Sequence, residues 1–519
     1  MNRNSGTPYY ITTAIAYPNG KPHIGHAYEY IATDSVARFK RLLNLNVHYL
    51  TGTDVHGQKM LEAALANCMS VVELAKHNSN VFQQLQEDLN ISFDRFIRTS
   101  DADHKNASES LWILIQESGD IYLGSYSGWY SVYDERFFSE AETNLLPTGI
   151  RVTNDTNTQV VWTNEKTYFF RLSAYADKLL SYYNSNPNFI EPEVRLNEIV
   201  KFVSSGLKDL SISRTTLTWG LQVPNKPNHV MYVWIDALTN YLTGAGFPNT
   251  NSKHFTNYWP ANLNIIGKDI IKFHAVYWPA FLMAANIKLP KKIFAHGFIN
   301  VKDKKISKSI GNTIDPIMLI EKFGLDGLRY FFLREISFGQ DGTYKERSLI
   351  KRINTDLVNE LGNLAQRVLS MVAKNFNGIL PKPSILNIKD IEILSIADSL
   401  FMRIYRYYDA LSIHLVLEAI WLVINETNRY FSKQKPWILC NSKKINEQKR
   451  FYTVLYVTIE IVRILAILIQ PIIPESAAKL LYLLNQPIKA FSFEFITSRI
   501  RPNIVLPKPV GIFCRYPEL

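Results

Sequence analysis

The sequence predicts an α/β fold with a parallel sheet, interrupted by a small inserted module and followed by an all-α helical bundle. The run PYYITTAIAY, a helical pattern that begins near His23 and the run NVHYLTGTD indicate a strand, a crossover helix and a second strand. Residues 118–227 are rich in tyrosine and turn residues and show little helical period. After Lys345 the apolar residues recur every three or four positions, which is typical of amphipathic helices.

Length and charge limit the possible classes of protein. A chain of 519 residues is too long for one hydrophobic core, so we expect two or three domains. The 57 Lys and Arg residues against 46 Asp and Glu residues leave a net charge of +11. This excess favours an acidic partner such as nucleic acid, although proteins without such a partner also reach it. The three cysteines, Cys68, Cys440 and Cys514, form no CxxC pair, which fits a reducing cytoplasm.

The chain offers little sign of a membrane partner. Its N-terminus lacks the apolar core of a secretory signal. The run Phe451–Pro474 has the length of a membrane span, but Glu460 and Arg463 lie in its middle. Each charge would cost about 2.5–3.5 kcal/mol there, and the spacing of three lets the two pair on one helix face. We therefore predict a core helix.

The stretch YPNGKPHIGHAYEYIATD places two histidines at the start of the first predicted helix. The spacing of His23 and His26 puts both rings on one side of a first turn, where unpaired backbone N–H groups and the helix dipole attract anions. Gly25 removes a side chain, so a ligand can approach the backbone. No acidic or cysteine ligand accompanies them, so they suit phosphate better than a metal. Taken alone, these four residues also fit two ordinary surface histidines.

The stretch KKISKSIGN is a second candidate phosphate site. Lys305 and Lys308 lie three apart in a loop with serines and a glycine. Such a loop can close over a triphosphate and neutralise the charge of departing pyrophosphate. A solvated lysine loop is the plainer interpretation. The occurrence of both motifs in one α/β body makes coincidence improbable.

These two motifs resemble the HIGH and KMSKS signatures of class I aminoacyl-tRNA synthetases, with Ile306 in place of methionine. Within that class, the chain is similar to the methionyl-tRNA synthetases in the blocks AYPNGKPHIGHAYEYIATD, TGTDVHGQK, YVWIDALTNY, IGKDIIKFHAVYWPA, AHGFINVKDKKISKS, NELGNLAQR and KPW. The resemblance spans nearly the whole chain. It implies a Rossmann-like catalytic domain at residues 1–117 and 228–345, an inserted connective module at 118–227 and a helical anticodon-binding domain at 346–519.

The resemblance also implies roles for particular residues. His23, Gly25, His26, Gly267, Asp269 and Lys308 would bind ATP, and His23, His26, Lys305 and Lys308 would be catalytic. Asp54 would pair with the ammonium of methionine. The methionine-binding set would be Ile15, Tyr17, Asp54, Trp234, Ala237, Leu238, Tyr241, Phe273 and His274, with Tyr241 and His274 directing a weak hydrogen bond to sulfur. Asn363, Arg367, Pro436 and Trp437 would read the anticodon.

The chain also departs from parts of the family pattern. The stretch GWYSVYDERFFSE has no cysteine where many relatives hold zinc, so we expect no zinc there. The module is too short for the separate editing domain of the leucine, isoleucine and valine enzymes. Nothing resembling the dimerising domain of some relatives follows GIFCRYPEL, so we expect a monomer.

The sequence therefore predicts a cytoplasmic methionine–tRNA ligase that uses Mg²⁺ and ATP. It would activate L-methionine to the adenylate and transfer it to the terminal adenosine of tRNA(Met), including the initiator tRNA. Another class I synthetase, for cysteine, valine, leucine or isoleucine, remains an alternative, as does a catalytically inactive RNA-binding paralogue. A nucleotidyltransferase acting on something other than tRNA would explain HIGH but not the helical region with Asn363, Arg367 and Trp437.

Overall fold

The computed structural model describes residues 6–131, 136–301, 304–305, 313–487 and 494–517. The chain divides into two compact units. The sheet unit comprises Pro8–Pro22 and His48–His296, and the helical unit comprises Met1–Thr7, His23–Val47 and Gly297–Leu519.

The first part of the chain alternates strands and helices. Its elements are β1 (Pro8–Thr13), α1 (Ile24–Leu42), β2 (Asn46–Thr53), α2 (Gln58–Ala66), α3 (Val71–Asp88), β3 (Arg95–Arg98) and α4 (Ala102–Glu117). The middle part is mostly short strands. Its elements are β4 (Ile121–Ser131), β5 (Arg136–Phe138), β6 (Thr143–Leu145), β7 (Arg151–Thr153), β8 (Val161–Phe170), α5 (Ala176–Ser185), β9 (Ile190–Glu191), α6 (Glu193–Ser204), β10 (Leu210–Ser211), β11 (Ser213–Arg214), β12 (Gln222–Val223) and β13 (Lys226–Met231).

The chain then alternates again before it becomes helical. The alternating part contains α7 (Val233–Ala245), α8 (Lys253–Tyr258), β14 (Leu263–Gly267), α9 (Trp278–Ala284), β15 (Ile293–His296), β16 (Ile299–Val301), β17 (Lys304–Lys305), α10 (Pro316–Phe323), α11 (Leu325–Glu335) and β18 (Gly342–Tyr344). The helical part contains α12 (Glu346–Arg352), a π-type segment (Ile353–Gly362), α13 (Asn363–Phe376), α14 (Ile388–Asp409), α15 (Ile413–Gln434), α16 (Pro436–Leu439), α17 (Ile445–Ile469), α18 (Pro474–Leu483) and α19 (Glu494–Thr497).

A six-stranded sheet organises the sheet unit, with the strand order β3-β2-β1-β14-β15-β9. The pairs β2–β3, β1–β14, β14–β15 and β15–β9 are all parallel. The apolar core of this unit includes fully buried Trp112, Trp278 and Phe281. Parallel strands with helical crossovers confirm the α/β prediction.

The predicted inserted module is less uniform than its sequence suggests. An antiparallel sheet, β10-β8-β4-β5, forms its centre, with β4 and β8 paired from Ile121 opposite Phe170 to Tyr130 opposite Val161. However, helices α5 and α6 also lie in this range, and β9 joins the large parallel sheet beside β15. Residues 190–191, inside the predicted module, therefore also extend the sheet of the surrounding domain.

Helix α1 groups with the C-terminal helices rather than with the sheet unit. Buried Asp34 accepts a hydrogen bond from buried Arg329 at 2.7 Å, and Arg329 also donates to the carbonyl of Ile472 at 2.9 Å. The hydroxyls of Ser35 and Tyr408 lie 2.9 Å apart. These contacts hold helix α1 within the helical unit.

Helix α17 confirms the prediction of a core helix for the long apolar run. It is the one helix in the described part of the chain with the length and composition of a membrane span, and 94% of its most apolar window is buried inside the protein. Arg463 donates two hydrogen bonds of 2.8 Å to the carboxylate of Glu460. Both side chains are buried, so the two charges compensate each other within the bundle.

Candidate active site

The carboxyl ends of the parallel strands bring several predicted residues to one edge of the sheet unit. Ala16, which lies between Ile15 and Tyr17, pairs in parallel with Thr53, and its carbonyl accepts a hydrogen bond of 2.9 Å from the Asp54 N–H. Gly267 ends β14 opposite the end of β15. Because the carboxyl edge is where open parallel sheets bind ligands, this placement agrees with the sequence-based expectation.

The helical unit carries the His23–His26 turn, where the two histidines cap α1 reciprocally. The Gly25 N–H donates to Nδ1 of His23 at 3.1 Å, and the His23 N–H donates to Nδ1 of His26 at 3.1 Å. The two half-buried rings stack with centroids 4.0 Å apart. This is a capping box in which two imidazoles take the places usually filled by a hydroxyl and a carboxylate.

The capping contacts set the proton positions of both rings. A nitrogen that accepts from a backbone N–H carries no proton, so each neutral ring holds its proton on Nε2. Each histidine therefore presents a hydrogen-bond donor while its other nitrogen satisfies the helix terminus. Such donors at a helix N-terminus suit phosphate oxygens.

Gly25 has a role that the sequence did not show. A Cβ built on Gly25 would lie 2.9 Å from Cε1 and 3.0 Å from Nδ1 of His23. Any larger residue would therefore push the His23 ring out of its capping position. The close approach that the glycine permits is that of the neighbouring imidazole.

The described residues that flank the lysine loop lie beside α1. The Ile24 N–H at the start of α1 donates to the carbonyl of Ile314 at 3.1 Å, and β16 packs next to the same helix. On the other side of the loop, Lys305 ends β17, which pairs antiparallel with β16. Lys308 and the rest of residues 306–312 lie outside the described part of the chain. The described residues on both sides of the loop thus belong to the same unit as the His23–His26 turn.

The predicted methionine side-chain pocket lies on one face of α7, as the seven-residue spacing of Trp234 and Tyr241 requires in a helix. The ring of Trp234 stacks on Phe273 with centroids 3.7 Å apart and an interplanar angle of 5°. Ala237 and Leu238 are buried on the same helix. Aromatic and aliphatic walls of this kind suit a polarizable thioether.

Tyr241 and His274 are hydrogen-bonded to each other, which corrects one expectation. The hydroxyl of Tyr241 lies 2.7 Å from Nε2 of His274, and Nδ1 of His274 lies 3.0 Å from the carbonyl of Ile270. A carbonyl only accepts, so Nδ1 carries the ring proton and the Tyr241 hydroxyl donates to Nε2. Burial lowers the pKa of His274 to about 4, which keeps the ring neutral. Both protons are directed to protein acceptors rather than to a substrate sulfur.

Asp54 is buried at the end of β2. Its Oδ1 accepts a hydrogen bond of 3.3 Å from the His56 N–H and one of 3.5 Å from the Thr99 hydroxyl. The Thr99 hydroxyl also accepts from the Val55 N–H at 3.0 Å. These contacts orient the carboxylate that the sequence assigns to the substrate ammonium.

A buried cluster beside Asp54 was missed by the sequence analysis. Asp236 on α7 has one carboxylate oxygen 2.7 Å from Nδ1 of His56 and the other 2.8 Å from Nε2 of His104. Burial works to raise the pKa of Asp236, but its contacts with His56 and His104 outweigh burial and hold that pKa below its usual value. The three residues are separated by up to 180 positions, so no local spacing reveals them.

Gly267 and Asp269, which the sequence assigns to ATP, lie at the carboxyl end of β14 and just after it. Asp269 is exposed just past the end of β14, in the short 3₁₀ turn Lys268–Ile270. A Cβ on Gly267 would lie 2.8 Å from a carboxylate oxygen of Asp269. The glycine therefore lets the Asp269 side chain fold back over the strand end.

The predicted anticodon residues differ in exposure. Asn363, Arg367 and Trp437 are exposed, and Arg367 donates to the side chain of Asn428 at 2.6 Å. Pro436 is buried at the first position of α16, after Lys435 in a left-handed conformation. Pro436 thus starts the helix that presents Trp437, rather than offering a surface to a base.

Among the residues that the structure describes, no cluster of three or more His, Cys, Asp or Glu side chains has the arrangement of a metal site. The three cysteines do not pair with one another.

The fold and these motifs define a class I aminoacyl-tRNA synthetase, and comparison with known proteins agrees. The model of the family "tRNA synthetases class I (M)" matches residues 9–148 and 143–369. The methionine–tRNA ligase of Mycobacterium leprae is 61% identical over 98% of this chain and 95% of its own length. That of Brucella suis is 52% identical over 98% of both chains.

Solved structures agree with these relatives. Mycobacterium tuberculosis methionyl-tRNA synthetase in complex with methionyl-adenylate has a TM-score of 0.96 at 60% identity, over 98% of this chain and all of that one. The free form of the same enzyme has a TM-score of 0.90 at 57% identity, over the full length of both chains. The chain belongs to the methionyl-tRNA synthetase family, and its activity is the ligation of methionine to tRNA.

Proposed function

We propose that the His23–His26 turn and the lysine loop bind and activate ATP, and that the carboxyl edge of the sheet unit binds methionine. The enzyme couples L-methionine to ATP and then to tRNA. The observation that carries the assignment is the reciprocal histidine cap, which occupies Nδ1 of both rings and places the ring proton of each neutral histidine on Nε2 at a helix start. Mg²⁺ enters with ATP as part of the substrate, because it binds phosphate oxygens and keeps several of its waters.

The first step requires no protein nucleophile. A carboxylate oxygen of methionine attacks the α-phosphorus of ATP in line, a new P–O bond forms, and the bond to the β-phosphate oxygen breaks. Pyrophosphate leaves with the electron pair. His23 and His26 stabilise phosphate oxygens, and Lys308, helped by Lys305, stabilises the charge that builds on the transferring phosphorus and on pyrophosphate.

Methionine is held at both ends in the proposed complex. Asp54 pairs with the ammonium, and a charge-assisted contact of this kind is strongest when the acid is buried and already oriented. The side chain lies among Ile15, Tyr17, Trp234, Ala237, Leu238, Phe273, Tyr241 and His274. Because Tyr241 and His274 donate to protein acceptors, selection for the thioether rests on shape and aromatic contact. Gly267 and Asp269 bind the nucleotide, with Asp269 on the ribose.

Substitution of Lys308 tests the ATP assignment. Lys308→Ala should lower the rate of methionine-dependent ATP–pyrophosphate exchange by about 10²–10³-fold, because a cation aimed at transition-state charge is lost. Methionine affinity should barely change. Lys302→Ala, in the same lysine-rich run, is the matched control and should retain the exchange rate. Unchanged exchange in Lys308→Ala would refute the role.

We further propose that the helical part reads the anticodon of tRNA(Met), including the initiator tRNA. Trp437 is 45% exposed at the start of a helix, which is the placement of a stacking surface for an unpaired base. Exposed Asn363 and Arg367, one turn apart on α13, supply donors and acceptors for base edges. Pro436 contributes by fixing the start of α16.

The anticodon assignment predicts a separation of the two reaction steps. Trp437→Ala should raise the KM for tRNA by about tenfold, the usual worth of one stacked base, and leave ATP–pyrophosphate exchange intact. Ile438→Ala, beside it and 56% exposed, is the control and should change neither step. If both substitutions raised the KM for tRNA by the same factor, the assignment would be contradicted.

The remaining assignments are proposals of the same kind. We expect a monomer that works in the cytoplasm and holds no zinc, and elemental analysis of the purified protein together with its mass in solution tests two of these points. Functionally, residues 1–117 and 228–345 would be catalytic, 118–227 would be the connective module, and 346–519 would bind the anticodon.

A further inference from the structure

We propose that Asp236 is a positioning residue that sets the place of the Asp54 carboxylate relative to the methionine side-chain pocket. The inference rests on the proposed pairing of Asp54 with the substrate ammonium. Asp236 touches neither substrate nor reacting atoms. It acts through His56, and it lies on the helix that builds the pocket wall.

Helix α7 has two working faces. Trp234 and Tyr241, seven residues apart, share the pocket face. Asp236 and Thr243 are also seven apart, and both contact His104: Asp236 at 2.8 Å from Nε2 and Thr243 at 3.0 Å from Nδ1. Any movement of the Asp236 face therefore moves the pocket face, because both belong to one rigid helix.

Hydrogen bonds occupy both ring nitrogens of His104. The Thr243 hydroxyl, which lies 3.1 Å from the carbonyl of Thr239, is 3.0 Å from Nδ1 of His104. The other ring nitrogen donates to a carboxylate of Asp236, which only accepts when ionised. His104, which has no exposed surface, thus pairs with Asp236 and holds α7 against α4.

The second oxygen of Asp236 reaches the turn that carries Asp54. Nδ1 of His56 donates to it at 2.7 Å, and the His56 backbone N–H donates to Oδ1 of Asp54 at 3.3 Å. Trp219 fixes the same turn, because its indole N–H donates to the carbonyl of Val55 at 2.6 Å. One histidine residue therefore connects Asp236, through its ring, with Asp54, through its backbone.

This connection leaves little freedom to either end. Asp236 is 1% exposed and His56 is 5% exposed, so neither can replace a lost partner with water. A shift of the turn would leave a buried carboxylate oxygen without a donor, which is costly. The network thus fixes the separation between the charge that binds the amino group and the wall that binds the side chain. A substrate must fit both ends at once.

Two methionine analogues test the inference. Methioninol keeps the ammonium and the side chain, whereas 4-(methylthio)butanoate keeps the side chain and lacks the ammonium. Their inhibition constants would be measured against methionine in the exchange assay with the full-length enzyme. Asp236→Asn should raise the inhibition constant of methioninol by about tenfold, which is the scale of a disturbed charge-assisted contact. It should raise that of 4-(methylthio)butanoate by less than about twofold. If the role of Asp236 were purely structural, both inhibition constants would rise by the same factor.

Two further variants separate the possible failures. Asp54→Asn should show the same selective loss. If it instead raises both inhibition constants by the same factor, Asp54 does not bind the substrate ammonium and the inference falls with that assignment. If Asp54→Asn is selective but Asp236→Asn is not, Asp54 keeps its role and the positioning role of Asp236 is overturned.

Controls keep the comparison interpretable. Asp209→Asn removes another carboxylate of the sheet unit, which accepts from Tyr122 at 2.7 Å and from the Ser173 hydroxyl at 2.6 Å, and it should leave the ratio of the two inhibition constants unchanged. Should Asp236→Asn fail to fold, His56→Ala removes the same connection from the turn side. It should reproduce the selective rise in the inhibition constant of methioninol. An equal rise in both inhibition constants in that variant overturns the proposal.

Discussion

Two histidine pairs of this protein have the same residue type and different hydrogen-bond partners. His23 and His26 are half-buried, stack on each other, and accept backbone N–H groups through Nδ1. His56 and His104 are buried, lie on either side of Asp236, and both donate to it. The first pair satisfies the backbone N–H groups of a helix start, and the second pair donates to a buried carboxylate. The partner, rather than the imidazole, decides whether a histidine serves ligand binding or internal geometry.

The largest effect that tests this comparison is the fall in activation rate when the ring N–H donor of His23 is lost. In His23→Asn the asparagine side chain still caps α1, but the Nε2–H donor disappears. The activation rate should fall by about 10²–10³-fold, as for the loss of one oxyanion donor. The melting temperature should change little, because asparagine is a good N-cap.

His23→Ala is the matched variant for that experiment. It removes both donor and cap, so it should lose about 1 kcal/mol of stability in addition to activity. Exchange kinetics and thermal unfolding of the two variants separate the functions. Full activity in His23→Asn would reduce His23 to a helix cap.

Loss of the His104 donor to Asp236 should lower the free energy of unfolding. His104→Ala leaves one oxygen of the buried Asp236 carboxylate without its histidine donor, and we expect a loss of about 3 kcal/mol in the free energy of unfolding. Ser108→Ala removes only a hydroxyl 3.3 Å from Nε2 of His104 and should cost less than about 1 kcal/mol. Urea unfolding measures both. Equal stability of the two variants would show that the pairing with Asp236 contributes nothing.

His274 represents a third kind of histidine, and the pH dependence of stability tests it. His274 is buried and neutral, with a pKa of about 4 against an ordinary value of 6.5. Because the folded pKa is lowered, its contribution to stability is present above about pH 6.5 and is lost as the pH falls toward 4. From about pH 7 to about pH 5 the protein should lose about 2 kcal/mol more than His274→Gln does.

Urea unfolding of both proteins at the two pH values measures that difference. His48, whose pKa is also lowered to about 4 because it is buried, is common to both proteins and cancels. An identical pH dependence in the two proteins would mean that His274 is not neutral when folded.

The contrast between the pairs also explains what the sequence could predict. His23 and His26 lie one turn apart, so their spacing alone predicted a shared helix face. The same reasoning placed Trp234 and Tyr241 on one face of α7 and recognised the Glu460–Arg463 pair of α17. Periodicity of this kind carries through to the structure because a helix converts sequence separation directly into position.

Contacts across the fold had no such signal. His56, His104 and Asp236 lie on a turn and two helices distant in sequence, and only tertiary packing brings them together. Strand β9 was missed for a related reason, since two residues in a parallel sheet leave no alternating pattern to detect. Tyr241 and His274 were predicted to lie together and do so, but the direction of their hydrogen bond depends on a carbonyl that no side-chain pattern indicates.

The ion pair in α17 has a consequence for how this chain is made. Until Glu460 and Arg463 are enclosed, the nascent segment has the hydropathy of a signal for membrane insertion, and the two charges add about 5–7 kcal/mol against that route. Helices α13, α14 and α15, which pack on α17, leave the ribosome before it does. The apolar segment thus emerges next to the surfaces that will cover it, so its exposure to insertion machinery is brief.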